Sequence, residues 1–389
     1  MEHGNVLVIG NSGVGKSTLI NAVLGEDVAQ TGFGTEGTTK RLEIFENKEL
    51  PFRIIDTVGF EPSIIKEMRA INSVRKWSRG TSDEEKEDRK INCIWFCVDG
   101  TAGKLFPKTI NSLLRATSMW KTVPIIVVIT KSYSEPDRIE NKQMVIEAFE
   151  KKKRKPRATI PVVASTFTIN ETAFAPPEGI TELIDLTNEL MPEGRQAATN
   201  DLNKFKLNRK RALAYSLVGV STGAAVGIGA APVPVADALL LSTLEVGLIN
   251  RLAKLYEFNK EEIDLFQKTL KLVIPIGAIG KKAVGALKAV PGLRIGASVI
   301  QAIVAGTIVA AIGQGSIYIF EKVYKGEESL SDNEWINKVF DEQFSEEFVE
   351  KIIGLSKFVE KNMDWKNLDF KAISQLITDM FAKDTQPKT

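Results

Sequence analysis

The sequence has very little of the side-chain chemistry that builds metal cages or hydrolase triads. It holds one histidine, His3, and two cysteines, Cys93 and Cys97, among 389 residues. A His/Cys zinc site, a Ser-His-Asp triad and a disulfide framework are therefore excluded. The N-terminal stretch MEHGNVLVIG lacks a basic n-region and a small-residue cleavage site, so it does not fit a secretory signal. We expect a reducing compartment, the cytoplasm.

An excess of charge of one sign is also missing. Lys and Arg number 51 against 49 Asp and Glu, which leaves a net charge of +2 at pH 7. That balance lacks the overall electrostatic footprint of a nucleic-acid binder, so a nucleic-acid partner is not favoured. Hydrophobic residues make up 43% and charged residues 26%, as in folded globular proteins. A chain of 389 residues exceeds the size of one core and predicts two to three domains.

The first motif that carries chemistry lies near the N-terminus. The apolar run NVLVI, at 5–9, is typical of a buried parallel strand and leads directly into GNSGVGKST. This is the GxxxxGK[ST] loop, whose backbone N–H groups wrap phosphates and whose lysine reaches the β- and γ-phosphates. The helical spacing that follows directs a positive helix end at the anion. The predicted nucleotide contacts here are Asn11, Ser12, Gly13, Val14, Gly15, Lys16, Ser17 and Thr18.

Two later motifs fit the metal side and the γ-phosphate. Pro51 to Asp56 reads as a strand, and Asp56 begins D-T-V-G, with Gly59 three residues further on. That spacing suits a carboxylate on the metal side followed by a backbone N–H on the γ-phosphate. Between the P-loop and this strand, Thr38 and Thr39 lie in a polar loop, where a threonine can close over Mg²⁺. The order of motifs is that of a nucleotide switch.

This order resembles the translation-factor-like GTPases of the Era/TrmE type. Their switch I carries G-T-T-R, where this chain has lysine at position 40, and their switch II carries D-T-P-G, where this chain has valine at position 58. The resemblance implies bound GTP and Mg²⁺. It makes Thr39 the switch I metal ligand, with Thr38 as the alternative. The residues carried over are Lys16 and Thr39 as catalytic groups and Ser17, Thr39 and Asp56 as metal ligands.

The base-binding motif departs from the pattern of that family. Thr122 to Ile129 reads as an apolar strand and ends in T-K-S-Y, where the family has N/T-K-x-D with an aspartate that accepts two hydrogen bonds from guanine. Tyr133 replaces that aspartate, so the group that rejects adenine is missing. Guanine specificity is therefore inferred from the resemblance alone. The other predicted base contacts are Thr130, Lys131 and Ser132, with Ser165 and Thr166 from an A-S-T element similar to the family's S-A-x.

A water-positioning side chain is not visible after Gly59, because the next residue is Phe60. Some Era/TrmE-type proteins hold a monovalent cation with a P-loop asparagine, but this chain has Gly13 there. We therefore expect slow intrinsic hydrolysis. Two alternatives stay open: a nucleotide-binding scaffold with little or no turnover, and a ribosome- or RNA-associated GTPase. The second rests on the basic run Lys151 to Arg157.

The composition changes abruptly further along the chain. Ala212 to Ala236 contains no charged residue over 25 positions and Ile295 to Phe320 none over 26, lengths that could each span a bilayer. Between them, Asp237 to Arg294 has nine basic and six acidic residues, which a two-span hairpin would place outside, against the positive-inside preference. We therefore expect a helical bundle that is peripheral to, or partly embedded in, the inner face of the membrane. A wholly soluble bundle is the alternative.

Short segments of this region also resemble a known family. APVPVADA at 231–238 and AAIGQGSIYIFE at 310–321 are similar to a bacterial domain of unknown function, the YcjF type, that often follows a GTPase. The resemblance implies a membrane-associated helical domain. Gly219, Gly223 and Gly227 lie four residues apart and predict a close helix contact. Asp237 is expected as a helix N-cap, with Glu245 on the same helix face.

Together these patterns predict an α/β P-loop NTPase fold, a mostly parallel sheet flanked by helices, followed by an all-α, Gly/Ala-rich hydrophobic domain. The expected divisions are a GTPase domain at 1–195, a helical domain of YcjF type at 196–330 and an amphipathic helical segment at 331–389. The expected function is a GTP-binding switch coupled to a helical effector domain. Its predicted partners are GTP and GDP, membrane lipid, and a protein effector or a second copy of the chain.

Overall fold

A computed structural model describes residues 4–25, 42–57, 72–79, 82–102, 106–168, 174–192, 199–231, 236–273, 276–363 and 369–383. The strands are β1 (Gly4–Ile9), β2 (Leu42–Phe45), β3 (Phe52–Thr57), β4 (Cys93–Asp99), β5 (Ile125–Thr130), β6 (Ala158–Pro161), β7 (Phe167–Thr168) and β8 (Phe174–Ala175). The helices are α1 (Lys16–Leu24), α2 (72–78), α3 (Asp83–Asp88), α4 (Phe106–Ala116), α5 (Glu135–Glu150), α6 (Ile180–Glu189), α7 (Thr199–Ala230), α8 (Ala236–Leu255), α9 (Lys260–Val273), α10 (Ile276–Lys288), α11 (Ala297–Tyr324), α12 (Asn333–Gln343), α13 (Glu346–Asn362) and α14 (Phe370–Lys383).

The chain forms two compact units. The nucleotide-binding unit comprises the described parts of Met1–Phe167 and Ala175–Arg209, and the helical unit comprises those of Thr168–Phe174 and Lys210–Thr389. The three-part division expected at 195 and 330 stays a prediction.

The nucleotide-binding unit is built on a six-stranded sheet in the order β2-β3-β1-β4-β5-β6. All neighbouring strands are parallel except β2 and β3. Parallel strands place their carboxyl ends at one edge of the sheet, where ligands bind in folds of this kind. The P-loop follows β1, Asp56 lies near the end of β3 and Thr130 ends β5, so the predicted motifs meet at that edge. The predicted fold class is confirmed.

The central strands are almost entirely apolar because helices cover both faces of the sheet. β1 and β5 are buried at every position, and β4 at every position except Asp99. Cys93 and Cys97 lie on β4 and are fully buried. Burial raises the pKa of both thiols, which keeps them protonated and unreactive.

The sequence pattern does not indicate β2. It is a four-residue antiparallel edge strand that pairs Leu42 with Thr57 and Phe45 with Ile54. A segment this short gives no clear periodic signal. The charged stretch at 76–90 contains the end of α2 and all of α3. The Ser82 hydroxyl caps α3 by accepting a hydrogen bond from the Glu85 N–H.

Arg209 closes the far end of the P-loop helix. Its Nε and Nη2 atoms lie 3.0 and 2.7 Å from the carbonyl oxygen of Ala22, in the last turn of α1. Carbonyls in the last turn of a helix have no intrahelical donor, so the guanidinium supplies one. Arg209 is buried, and burial lowers its pKa.

The described residues from 210 onward are mainly helical, and α11 packs against α8, α10, α12, α13 and α14. Two helical segments are long and apolar enough to cross a membrane, Leu202–Ala230 with a mean hydropathy of 1.5 and Ala297–Tyr324 with 1.8. The two segments differ in burial. In the most apolar stretch of the first segment 56% is buried, whereas in that of the second segment 89% is buried. A buried apolar helix is also what the core of a bundle requires, so length and hydropathy do not by themselves make α11 a membrane span.

Glycines on α11 let α7 approach closely. A Cβ placed on Gly313 would lie 2.5 Å from a methyl group of Val218. A Cβ on Gly306 would lie equally close, 2.5 Å, to a methyl group of Val226. Real Cβ atoms do not come this near, so both positions require glycine unless the valines move.

The predicted glycine face of α7 packs against α14. A Cβ on Gly219 would lie 3.7 Å from Thr378, and a Cβ on Gly223 would lie 3.2 Å from Ser374. The close approach expected from small residues therefore occurs between helices of the same unit.

Glu245 is a buried acid of the helical unit. It lies within α8 with 4% of its surface exposed, and burial raises its pKa to about 7. Loss of water around a carboxyl disfavours its charged form. The expected N-cap differs, because α8 begins at Ala236 and places Asp237 in its first turn. The side chain of Asp237 lies outside the described part.

Candidate nucleotide-binding site

The P-loop turns sharply between β1 and α1, and glycines make the turn possible. Gly13 and Gly15 have φ angles of 79° and 94°, in the left-handed region that side chains other than glycine rarely adopt. A Cβ on Gly10 would lie 2.6 Å from the carbonyl oxygen of Cys97 on β4. The loop therefore passes close to the sheet and then opens at the start of α1.

The N-terminus of α1 is directed out of this loop without a side-chain cap. Gly15 occupies the N-cap position, and no side-chain hydrogen bond caps the helix there. The first-turn N–H groups of a helix have no intrahelical acceptor and carry a partial positive charge. Ser17 and Thr18 lie in this turn with exposed side chains. Such a helix end is suited to an anion.

Lys16 places a buried ammonium inside the loop. It is 9% exposed, and its Nζ lies 3.0 Å from the carbonyl oxygen of Gly10 and 3.2 Å from that of Asn11. These carbonyls hold the side chain against the P-loop. The charge is therefore positioned beside the amides that the sequence predicts to bind phosphate.

Asp56 brings a carboxylate to the same edge of the sheet. It pairs in register with Val8 of β1 and is 6% exposed. Burial raises the pKa of the nearby Cys97 thiol to about 12, while the charge of Lys16 lowers it and that of Asp56 raises it further. Lys16 and Asp56 therefore both lie close enough to act on one thiol. Thr38, Thr39, Gly59 and Phe60 fall outside the described residues.

The T-K-S-Y motif at 130–133 is hydrogen-bonded to the P-loop. The hydroxyl of Thr130 is within hydrogen-bonding distance of the Val14 carbonyl oxygen. Lys131 has a φ of 52°, and its Nζ lies 2.7 Å from the Gly13 carbonyl oxygen. Ser132 is anchored as well, through its hydroxyl to the Ile129 carbonyl oxygen at 2.7 Å. The predicted phosphate and base motifs thus form one connected structure.

Asp99 is a site residue that the sequence reasoning missed. Its Oδ2 lies 2.6 Å from the Nζ of Lys131, and Thr101 donates a second hydrogen bond to the same carboxylate. Burial opposes ionisation of Asp99, but the hydrogen bonds from Lys131 and Thr101 lower its pKa. Asp99 is the last residue of β4 and pairs with Thr130. A polar residue at the end of an apolar strand was the sequence signal that could have identified it as a site residue.

Tyr133 stacks on Phe167, the second residue that the sequence reasoning missed. The ring centroids are 3.9 Å apart and the ring planes differ by 12°. Phe167 directly follows Ser165 and Thr166, so the stack joins the two segments predicted to contact the base. Tyr133 also lines a cleft of about 370 Å³, together with Lys131, Ser132, Asp137, Glu140 and other residues.

Two family models match separate parts of the chain. Residues 5–131 match the family described as 50S ribosome-binding GTPase. Residues 196–346 match a domain of unknown function, DUF697. The first match runs from β1 through Lys131, and the second runs from the residues before α7 to the first residue of α13.

Curated relatives match part of the chain. GTPase Era of Vibrio vulnificus is 26% identical over 149 residues, which cover 38% of this chain and 43% of the relative. GTPase Era of Pasteurella multocida is 30% identical over 145 residues, covering 37% and 42%. The chain thus spans less than half the length of these relatives. A solved structure of Era with MgGDPNP and a segment of 16S ribosomal RNA is 23% identical, with a TM-score of 0.33, covering 58% of this chain and 68% of that one.

Proposed function

We propose that this chain, which resembles Era-like P-loop GTPases and carries a DUF697 match, acts as a GTP-binding switch with slow, Mg²⁺-dependent hydrolysis. One observation supports the proposal above all. The uncapped N-terminus of α1, the buried ammonium of Lys16 and the buried carboxylate of Asp56 lie at the same edge of the sheet. Amides and an ammonium bind phosphate, and a carboxylate binds the metal that accompanies it.

The polar groups of this edge fit Mg²⁺. The site combines one carboxylate, Asp56, with one hydroxyl, Ser17, and Mg²⁺ is usually bound through one or two carboxylates and substrate phosphates while it keeps several waters. Among the described residues, no group of three His, Cys, Asp or Glu side chains could form a complete metal cage. When bound, Mg²⁺ would neutralise charge on the phosphates. We assign Ser17, Asp56 and Thr39 as its ligands.

Slow hydrolysis follows from what the P-loop and the segment after Gly59 both lack, a side chain that positions a cation or a water. Gly13 has no side chain to hold a cation or a water at the phosphates, and Phe60 is apolar. The role left to this chain's own residues is to bind and orient the triphosphate. We expect a turnover below about 1 s⁻¹, the lower end of ordinary enzyme rates.

The proposal is tested by measuring MgGTP binding and phosphate release for the full chain and for Lys16→Ala. Loss of a charge-assisted contact to phosphate costs roughly 2 to 5 kcal/mol, so we expect binding to weaken at least about 30-fold. Lys48→Ala is the matched control, because Lys48 is exposed in the turn between β2 and β3. Equal affinity in all three proteins would refute the switch. Binding that depends on Lys16 but gives no phosphate would support the scaffold alternative.

Membrane association is a second part of the proposal. α7 and α11 are long and apolar, and α10 carries Lys281 and Lys282 with exposed side chains. An exposed basic pair is attracted to anionic lipid by about 1 kcal/mol per residue near the surface. Because α11 is mostly buried in its unit, we propose that this unit lies on the membrane instead of spanning it.

Flotation with vesicles tests this part. We expect the full chain to float with phosphatidylglycerol-containing vesicles, and less with pure phosphatidylcholine. Lys281→Glu with Lys282→Glu should weaken the association at least about tenfold, whereas Lys357→Glu with Lys361→Glu, an exposed pair on α13, should not. Flotation that is insensitive to lipid charge and to both pairs would favour insertion, and no flotation would favour a soluble bundle.

A further inference from the structure

The two segments predicted to contact the nucleobase are joined by an aromatic stack. Tyr133 follows Ser132 after β5, and Phe167 follows Thr166 after β6. Their rings are nearly parallel, with centroids 3.9 Å apart. Phe167 nevertheless keeps 41% of its surface exposed. An aromatic surface is therefore available two residues along the chain from Lys131, whose Nζ contacts the P-loop, at the place where the resemblance puts the base.

The hydrogen-bonding groups at this place do not discriminate between purines. A phenol hydroxyl both donates and accepts, so Tyr133 can pair with the N1–H of guanine or with the bare N1 of adenine. Burial raises the pKa of Tyr133, which leaves the phenol uncharged at neutral pH. The hydroxyl of Thr166 is buried without a hydrogen-bond partner among the described residues, and it too can donate or accept.

The nearby carboxylates do not replace the missing aspartate directly. Asp99 is engaged by the Nζ of Lys131 at 2.6 Å and by the hydroxyl of Thr101. Asp137 and Glu140 lie on α5 and line the cleft next to Tyr133, with exposed side chains. These two are the acids that could read guanine from another position.

We infer that Tyr133 and Phe167 form an aromatic platform that holds the base by stacking, so that the site accepts purine triphosphates with little preference for guanine. The inference rests on the proposed nucleotide binding and specifies its substrate class. Stacking on an aromatic ring is tolerant of base identity, because every base has a π-face. Affinity then comes mainly from the phosphate side, through the P-loop amides and Lys16.

Competition binding of GTP, ATP and ITP to the full chain tests the inference. We expect the wild-type affinities to lie within about tenfold of one another, since readout by hydrogen bonds to a dedicated acceptor is missing. Tyr133→Asp installs that acceptor and should raise the GTP-to-ATP affinity ratio at least about 30-fold. Tyr133→Phe should leave the ratio unchanged.

Phe167→Ala supplies a second readout that does not depend on position 133. We expect it to weaken all three nucleotides alike, by about tenfold, because each loses the same stacking surface. Phe358→Ala is the matched control, since Phe358 is an exposed aromatic on α13, in the helical unit. Melting curves of each variant establish that it is folded.

Three results would overturn the inference. One is a wild-type preference for GTP over ATP of 100-fold or more, and loss of that preference in Asp137→Asn or Glu140→Gln would assign the readout to α5. Another is a Tyr133→Asp variant that is folded but keeps the wild-type ratio. The third is a Phe167→Ala variant that binds like wild type. In all three cases Lys16-dependent binding would persist and the switch would stand, whereas absence of any triphosphate binding would remove both.

Discussion

Gly13 and Gly15 in the nucleotide-binding unit have φ angles of 79° and 94°, and a Cβ on Gly13 would meet no described atom within 4 Å. In the helical unit, Gly306 and Gly313 lie inside α11, and a Cβ on either would come within 2.5 Å of a valine methyl group. The first pair is required by backbone conformation, and the second by contact. Glycine thus shapes the loop that we propose binds phosphate in one unit, and it allows close contact between helices in the other.

The two units also differ in how they treat buried charge. Lys16 is buried with its ammonium against two backbone carbonyls, in a loop that faces a predicted ligand. Glu245 is buried within a helix, and burial alone accounts for the rise in its pKa. The ammonium of Lys16 is held by carbonyl oxygens beside the proposed phosphate site, whereas a buried carboxyl in a helical core lowers stability when it ionises.

The largest effect that we expect is a pH dependence of the stability of the helical unit, which tests this difference in buried charge. Because the pKa of Glu245 is raised from 4.5 to about 7, the folded state binds its proton more tightly than the unfolded state. Stability is therefore full below pH 4.5 and falls as pH rises towards 7, by up to about 3 kcal/mol. Glu245→Gln should remove most of this loss. Hydrogen exchange of α8 at pH 5 and pH 8 measures it.

Glu261→Gln is the control for that measurement, because Glu261 is exposed in the first turn of α9. We expect it to shift exchange equally at both pH values. Stability of α8 that stays constant from pH 5 to pH 8 in the wild type would contradict the assignment.

A smaller effect is expected from Gly313→Ala. The new Cβ would strike Val218, and overpacking of this kind costs roughly 1 to 3 kcal/mol, more than the ~1 kcal/mol gained in helix propensity. Gly285→Ala on α10 is the matched control, because a Cβ there meets no described atom within 4 Å. The two variants should change the free energy of unfolding in opposite directions, and Val218→Ala should restore part of the loss. If both variants stabilised the protein, contact with Val218 would not be the reason for glycine at position 313.

The smallest effect is expected from Gly13→Ala. Its Cβ meets no described neighbour, but a φ of 79° costs an alanine about 1 kcal/mol or slightly more. We expect MgGTP binding to weaken by about tenfold without a change in the melting of the helical unit. Gly326→Ala carries the same strain at a φ of 72° in the helical unit and should leave nucleotide affinity unchanged. Equal affinities of the two variants would show that the Gly13 conformation does not serve the ligand.

Much of the nucleotide-binding unit could be predicted from the sequence, because its strands are apolar runs that end in recognisable motifs. The parallel sheet, the P-loop and the Era-type resemblance are confirmed. β2 could not be predicted, since its four residues show no period. The roles of Lys16, Ser17, Thr39 and Asp56 stay predictions.

The contacts that lie far apart in sequence were beyond prediction. Tyr133 and Phe167 are separated by 34 positions, and only the fold brings their rings together. The burial of α11 could not be predicted either, because an apolar run of 26 residues is compatible both with a bilayer span and with a bundle core. The domain of unknown function was predicted from short motifs, and the DUF697 match confirms it.

Arg209 sets a limit on how the P-loop helix can respond to its ligand. Phosphate would meet the positive end of the α1 dipole, while the guanidinium already meets the negative end at Ala22. When phosphate departs, only one of these two counter-charges is lost. We therefore expect the C-terminal end of α1 to stay in place at Arg209, while its N-terminal end changes orientation. Arg209→Met removes the contact with the Ala22 carbonyl, so the backbone amides of the last turn of α1 should exchange with solvent faster in every nucleotide state.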